Sequence, residues 1–278
     1  MFIAQDHLIR DDHTIEQNWQ NYRPEEHQTW RRLVARQKSL LPGRASLDFF
    51  AGLDALSILE GGIPHFERLN EVLGKATGWR IVAVPGLVPD DIFFNHLANR
   101  RFPAARFIRT PEQMDYLEEP DVFHDIFGHV PLLMNPVFAD YMQAYGEGGL
   151  KAIGLGALER LSRLYWYTVE FGLIETLAGL RIYGAGILSS GGEVEFRLDS
   201  PSPHRIHFDL KRVLRTEYKI DDFQANYFVI RDYRELFDLA QRDFTLIYQE
   251  IETAPPFAAG ETAPEDDLLH RGTGEYHS

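Results

Sequence analysis

Helical spacing of the apolar residues restricts the fold of this 278-residue chain more than any other feature. It predicts helices that begin near Pro24, at Pro89 or Asp90 and at Asn135-Pro136, a long helix over 151–180 and a last one over 233–251. Extended patterns are few and short, at Arg80–Val84, Glu193–Leu198 and Tyr227–Ile230. The sequence therefore predicts a mainly α protein with small β ribbons, and it disfavours a doubly wound sheet or a barrel.

Composition indicates one domain with two loose ends. Residues 1–20 are polar, and we expect them to form a loose lead-in. Residues 252–278 contain Pro255-Pro256 and an acidic run at 265–267, and we expect them to form an acidic, poorly ordered tail. No linker-like change of composition interrupts residues 21–251, so we expect a single domain there.

Charge and cysteine content disfavour several classes of protein. The chain has 42 acidic and 28 basic residues, and a net charge of −14 repels nucleic acids and anionic lipids. It has no cysteine, which excludes disulfides, thiolate zinc sites and iron–sulfur clusters and fits a reducing compartment. The N-terminus lacks a signal-peptide pattern, and no charge-free stretch is long enough to cross a bilayer. We expect a cytoplasmic protein without nucleic-acid or membrane partners.

Two histidines, His124 and His129, lie five residues apart among aromatic and aliphatic residues. On a continuous α-helix this step separates the two rings by about 140°, so they would not share a face. A helix that ends near Gly128 would let His129 turn back towards His124 and would allow both to bind one metal ion. The alternative is a pair of core histidines, each bonded to a backbone carbonyl.

One charged residue, Glu170, interrupts the apolar and aromatic run Leu164–Ile174. A buried carboxylate needs a partner, and a cation is the natural one. Two imidazoles and one carboxylate are typical ligands of non-haem Fe(II) in oxygen chemistry, although zinc hydrolases use similar sets. The alternative is a solvent-facing residue on an amphipathic helix.

Three longer motifs carry a family resemblance, namely Glu119–Gly146, Leu164–Gly172 and Tyr183–Glu193. They resemble the pterin-dependent aromatic amino acid hydroxylases, most closely the compact bacterial members that act on phenylalanine, and weaker similarity extends over residues 15–250. The resemblance implies a monooxygenase that converts L-phenylalanine to L-tyrosine with O₂ and a tetrahydropterin at Fe(II), as the first step of phenylalanine catabolism. It also implies that residues 21–251 form the catalytic domain, and we expect a monomer.

The resemblance implies roles for individual residues. The iron ligands fall on His124, His129 and Glu170. Asp125 matches an acid near the pterin, and Tyr165 matches a tyrosine between iron and pterin, both counted as catalytic. The pterin positions are Gly86, Val88, Asp90 and Phe93, with the Phe93 ring stacked on the pterin. The substrate positions are Arg109, Pro120, Trp166, Phe171 and Ser189. Arg109 would hold the substrate carboxylate through a bidentate fork, and Ser189 would contact the amino acid end. The alternative for Asp125 is a helix-surface carboxylate, which we disfavour. Taken alone, Arg109 fits a surface charge better than a site residue, and the aromatic residues could be core packing.

Other interpretations of the ligand residues stay open. A helical zinc hydrolase would act without pterin, and a metal-stabilised interaction protein would bind metal without consuming O₂. A 2-oxoglutarate dioxygenase is disfavoured because it needs a β-rich barrel and a His-x-Asp pair. His204 and His207 are interpreted as loop or surface residues. Within the hydroxylase family, the preference among phenylalanine, tyrosine and tryptophan depends on pocket shape.

Overall fold

The computed structural model describes residues 8–115, 117–220 and 222–275, and it confirms the predicted fold class. The α-helices run over Pro24–Leu40 (α1), Leu47–Ala55 (α2), Phe66–Ala76 (α3), Asp90–Ala98 (α4), Pro136–Leu155 (α5), Leu158–Tyr165 (α6), Ala185–Leu188 (α7), Gly191–Asp199 (α8), Leu210–Arg215 (α9), Tyr233–Ala240 (α10) and Phe244–Glu250 (α11). The strands are Arg80–Val84 (β1), Arg101–Ala105 (β2), Leu173–Thr176 (β3), Gly179–Ile182 (β4), His204–His207 (β5), Asn226–Ile230 (β6) and Leu268–His270 (β7). Short 3₁₀ segments cover Trp19–Asn21, Pro111–Gln113 and Val130–Met134, and π-helical turns cover His124–His129 and Trp166–Glu170.

Local capping explains where the correctly predicted helices begin. In α1, Pro24 occupies the first turn, and the Glu26 carboxylate accepts a hydrogen bond from the Arg23 backbone N–H at 2.7 Å. In α5, the Asn135 side chain accepts hydrogen bonds from the backbone N–H groups of Val137 and Phe138. The predicted helices from Pro24, Asp90 and Pro136 are confirmed.

Three predicted elements are wrong in extent or type. The helix over 151–180 is interrupted because Gly156 takes a left-handed conformation at φ 65°, and the chain later turns into β3 and β4. The helix over 233–251 is two helices, α10 and α11. Glu193–Leu198 alternates like a strand but lies within α8, because the Ser190 side chain caps that helix by accepting from the Glu193 N–H.

The strands form two sheets that join distant parts of the chain. β1 and β2 are a parallel pair, and the second sheet has the order β4-β3-β6-β5-β7. Its central strand β6 is buried at every position and pairs in parallel with β3 and β5, which confirms the strand predicted at Tyr227–Ile230. Strand β3 follows the second π-helical turn directly, so this sheet fixes the chain on one side of that turn.

An aromatic core lies behind the first π-helical turn. The Phe123 and Phe127 rings stack with their centroids 4.8 Å apart. Trp30 packs against Phe123 at 5.2 Å, and Phe49 packs against Phe127 at 5.7 Å. All four side chains are buried, which stabilises the turn that carries the two histidines.

The described parts of both chain ends pack on the domain. Near the N-terminus, Ile15 is buried and its N–H donates to the Ala83 carbonyl at 2.9 Å. Near the C-terminus, β7 pairs with β5, and Asp266 forms a buried ion pair with Arg212. This packing differs from the loose lead-in and poorly ordered tail expected from composition; residues 1–7 and 276–278 of those segments lie outside the described residues. Within the described ranges, no helix has the length and apolar character of a transmembrane span.

Candidate active site

A π-helical turn brings the two histidines together. His124 and His129 begin and end this turn, and their Nε2 atoms lie 3.0 Å apart. Hydrogen bonds in a π-helix join residues five apart, so its wider turn brings positions i and i+5 closer to one face than an α-helix does. The predicted helix end at Gly128 is wrong, because the turn continues through this residue. A Cβ there would lie 2.9 Å from the Ala185 carbonyl oxygen, so glycine permits close packing against α7.

The second π-helical turn ends at Glu170 and supplies the carboxylate. Its Oε1 lies 3.1 Å from His129 Nε2, and its Oε2 lies 3.6 Å from His124 Nε2. One ligand atom from each of the three residues falls within 4.8 Å of the others. A Cβ at Gly184 would lie 2.4 Å from the Glu170 carbonyl oxygen, so this glycine lets the following segment pack against the carboxylate residue.

The charges of this cluster favour a bound cation. Burial raises the pKa of Glu170, but the His129 and His124 imidazoles outweigh it and hold that pKa well below its ordinary value. Glu170 is therefore ionised. Burial also raises the pKa of the neighbouring Asp125 carboxyl to about 7. One carboxylate and two imidazole nitrogens within reach of one point form the donor set of a non-haem iron site with open positions.

A hydroxyl group sets the tautomer of the first histidine. Ser189 Oγ donates to the Ala185 carbonyl oxygen at 2.8 Å and lies 2.9 Å from His124 Nδ1. Since its single proton is used for Ala185, Ser189 must accept from His124 Nδ1–H, so in the neutral ring the free lone pair that can bind metal is on Nε2. The sequence predicted a contact between Ser189 and the substrate, whereas its Oγ is engaged by His124.

Two cavities meet at His124 and Glu170, and the first of them also reaches His129. A cavity of about 270 Å³ is lined by every position predicted to bind pterin, namely Gly86, Val88, Asp90 and Phe93, and by Asp125. A second cavity of about 360 Å³ is lined by every position predicted to bind substrate, namely Arg109, Pro120, Trp166, Phe171 and Ser189. Pro120, His124, Tyr165 and Glu170 line both. The Tyr165 ring lies between the His129 ring, 6.1 Å away, and the Phe93 ring, 6.0 Å away.

Comparisons with known proteins agree with this site. A profile of the family described as biopterin-dependent aromatic amino acid hydroxylase matches residues 10–252. The chain belongs to this family. It is 61% identical over 267 residues to a phenylalanine-4-hydroxylase of Ralstonia nicotianae, covering 96% of this chain and 85% of that protein. It is 59% identical to the Caulobacter vibrioides phenylalanine-4-hydroxylase, covering 96% and 91%.

A solved structure supports the fold of this hydroxylase. The crystal structure of the Chromobacterium violaceum phenylalanine hydroxylase with iron and phenylalanine bound matches it with a TM-score of 0.89 at 56% identity. The match covers 93% of this chain and 94% of that one. The predicted family membership is thus confirmed.

The predicted substrate arginine of the hydroxylase is already engaged. Arg109 donates from Nε and Nη2 to the two Asp121 carboxylate oxygens at 2.9 and 2.8 Å, so the bidentate fork predicted for the substrate is made to Asp121. Asp121 is fully buried and also accepts from the backbone N–H of Arg109 and of His124. Sequence reasoning missed this residue, although its position beside the apolar run Val122–Phe123 is the kind of signal that identified Glu170.

The aromatic wall of the substrate cavity has a second partner that was missed. The Trp166 indole N–H donates to Gln224 Oε1 at 2.9 Å, and its ring stacks on Tyr218 at 4.2 Å and contacts Phe171 at 4.6 Å. Gln224 lies 58 residues away in sequence. No local pattern pointed to it, because its role depends on the tertiary contact alone.

Proposed function

We propose that this chain hydroxylates L-phenylalanine to L-tyrosine, with O₂ and a tetrahydropterin, at an iron site formed by His124, His129 and Glu170. The observation that carries the proposal is the convergence of these ligands where two cavities meet. One cavity has the residues expected for a pterin, and the other has an aromatic wall and a buried arginine. Relatives named phenylalanine-4-hydroxylase, at about 60% identity over most of the chain, support phenylalanine as substrate.

The residues present fit an iron ion. His124 offers Nε2 because Ser189 holds the proton on its other nitrogen, and Glu170 is ionised. The N₂O donor set matches the two-histidine, one-carboxylate arrangement that leaves positions free for O₂ chemistry. When bound, iron and the tetrahydropterin supply the two-electron reduction of O₂ that amino acid side chains cannot carry out.

The pterin cavity combines an aromatic ring with backbone groups. In this proposal the Phe93 ring stacks on the pterin, while Gly86 and Val88 contact it from the loop before α4 and Asp90 contacts it from the start of that helix. Asp125 accepts a hydrogen bond from the Ala105 N–H at 2.7 Å, so its carboxyl is fixed in the cavity wall near Glu170. Its raised pKa lets it exchange a proton near neutral pH, and Tyr165 separates this cavity from the substrate.

The substrate cavity suits an aromatic amino acid. Because Asp121 holds Nε and Nη2 of Arg109, we propose that Nη1 donates to the substrate carboxylate. Pro120, Trp166 and Phe171 then enclose the ring and keep water from the reacting carbon. We further propose that the enzyme acts as a cytoplasmic monomer in phenylalanine catabolism, without nucleic-acid partners, in keeping with its charge of −14.

Turnover of L-phenylalanine tests the proposal. We expect Fe(II)-loaded protein to form tyrosine, measured by chromatography, only when a tetrahydropterin is present. Tryptophan and tyrosine in the same assay rank the substrates. If iron-loaded protein forms no product from any aromatic amino acid, the proposed function is wrong and a zinc hydrolase or a metal-stabilised binding protein becomes the better hypothesis.

Ligand variants test the iron site. We expect Glu170→Gln and His124→Ala to abolish iron binding and tyrosine formation, because each removes one of three donors. Glu175→Gln is the matched control, since Glu175 is exposed on β3, and it should bind iron like the wild type. Iron content of the purified variants is measured together with turnover. Full activity of Glu170→Gln would contradict the ligand assignment.

A further inference from the structure

A glutamate connects the mouths of the two cavities. Glu119 Oε1 accepts a hydrogen bond from the backbone N–H of Leu87 at 3.1 Å, across 32 residues of sequence. Leu87 lies between Gly86 and Val88, two of the positions assigned to the pterin. Glu119 itself lines the substrate cavity, while Gly86 and Leu87 line the pterin cavity. The Glu119 side chain therefore joins its own segment, at the mouth of the substrate cavity, to the loop around Leu87 at the mouth of the pterin cavity.

The pterin loop is shaped to receive this carboxylate. A Cβ at Gly86 would lie 2.3 Å from Glu119 Oε1, so any larger residue would push the carboxylate away from the loop. The next residue after Glu119, Pro120, lines both cavities. A displacement of the pterin loop would thus be passed through Glu119 to a residue that both ligands would touch.

We infer that Glu119 is a positioning residue that couples binding of the pterin to binding of the aromatic amino acid, an inference that rests on the proposed function. The contact is a single solvent-accessible hydrogen bond between two loops, so it can open and close. A ligand that orders one loop also holds the other through Glu119. The second ligand then binds to a loop that is already ordered, and the effect is reciprocal.

The coupling is measured as a ratio of affinities. Tetrahydrobiopterin is titrated calorimetrically into anaerobic Fe(II)-loaded protein, with and without saturating L-phenylalanine. We expect the wild type to bind the pterin about fivefold or more tightly when phenylalanine is present, the lower end of usual allosteric couplings. The ratio is the pterin affinity with phenylalanine divided by the pterin affinity without it. In Glu119→Ala it should fall to about one, because the hydrogen-bond acceptor is lost.

Matched variants separate the hydrogen bond from other effects. Glu119→Gln keeps an acceptor oxygen and should keep the ratio. Glu118→Ala removes the same charge from the adjacent exposed residue, which also lines the substrate cavity but makes no described hydrogen bond to the pterin loop, and it should keep the ratio as well. A role limited to loop stability would weaken both ligands and leave the ratio unchanged. If Glu119→Ala does not fold, Glu119→Asp, whose side chain is one methylene shorter, replaces it and should lose the ratio.

Three results would overturn the inference: a ratio of about one in the wild type, an undiminished ratio in Glu119→Ala or its replacement, or loss of the ratio in Glu119→Gln. Tyrosine formation by the wild type is assayed on the same preparation. If the wild type turns over normally and Glu119→Ala keeps the wild-type ratio, only the role of Glu119 is contradicted. Absence of turnover contradicts the proposed function instead.

Discussion

At the residue scale, a single hydroxyl decides which nitrogen of His124 faces the metal site. Ser189 gives its proton to a backbone carbonyl, so it accepts from Nδ1 and leaves Nε2, 3.6 Å from Glu170 Oε2, as the nitrogen available to a metal ion that the two residues share. Without this bond, the imidazole would be free to rotate or to carry its proton on Nε2. An ordered ligand gains affinity because less freedom is lost when the metal binds.

We therefore expect Ser189→Ala to lower iron affinity about 10- to 100-fold, the usual effect of losing such a partner. Fe(II) titration under anaerobic conditions measures the change. The matched control is Ser190→Ala, which removes the cap of α8 and should cost about 1 kcal/mol of unfolding free energy without weakening iron binding. Equal iron affinity in the two variants would contradict the tautomer argument.

Charge in an apolar setting was the residue-scale signal that sequence alone provided. It identified His124, His129 and Glu170, because a charged or polar residue that must be buried requires a partner. It did not assign partners. Asp121 and Gln224 were missed because their roles depend on contacts with Arg109 and Trp166, and a sequence does not state contacts between distant residues.

At the element scale, the candidate ligands lie where the helices depart from 3.6 residues per turn, and periodicity in the sequence does not show such a departure. Both sets of ligands lie on π-helical turns, His124–His129 and Trp166–Glu170. The hydrogen bonds of such a wide turn have poorer geometry, so the turn is stable only where tertiary packing supports it. The stacked Phe123 and Phe127 rings provide that packing for the first turn. Breaks in regular periodicity are expected at functional sites, where local preference gives way to chemistry.

Close packing of α4 against α5 also depends on single residues, because α4 carries Phe93 into the pterin cavity. A Cβ at Gly146 would lie 2.4 Å from the Ala98 backbone nitrogen, whereas a Cβ at Gly148 meets nothing within 4 Å. We expect Gly146→Ala to lower the unfolding free energy by about 1–3 kcal/mol through overpacking. Gly148→Ala, in the same helix, should raise it by up to about 1 kcal/mol. Urea denaturation measures both, and the same sign in the two variants would contradict this packing.

At the scale of the whole molecule, local patterns predicted the helical class but not the arrangement of the second sheet or the placement of the C-terminal segment. Strand β7 joins the sheet through β5, more than 60 residues earlier in the chain. Composition suggested a poorly ordered tail because prolines and acidic residues disfavour regular structure. The tail nevertheless has a charged partner, since Arg212 lies inside the domain and Asp266 reaches it.

This ion pair should contribute strongly to global stability. Arg212 Nε lies 2.8 Å from Asp266 Oδ1, and the two side chains are 4% and 1% exposed. Removing one partner leaves the other charge buried and uncompensated, so we expect Asp266→Asn to lower the unfolding free energy by about 3–5 kcal/mol. Asp267→Asn changes the next residue, whose side chain is 70% exposed and lies 3.8 Å from Arg231 and 3.9 Å from His207. This variant should stay within about 0.5 kcal/mol of wild type. Denaturant titration of both variants shows whether the tail is part of the folded domain. Equal stabilities would mean that residues 252–275 add little to the fold. The expected difference would make them part of the structure that supports the second sheet, which β7 joins through β5.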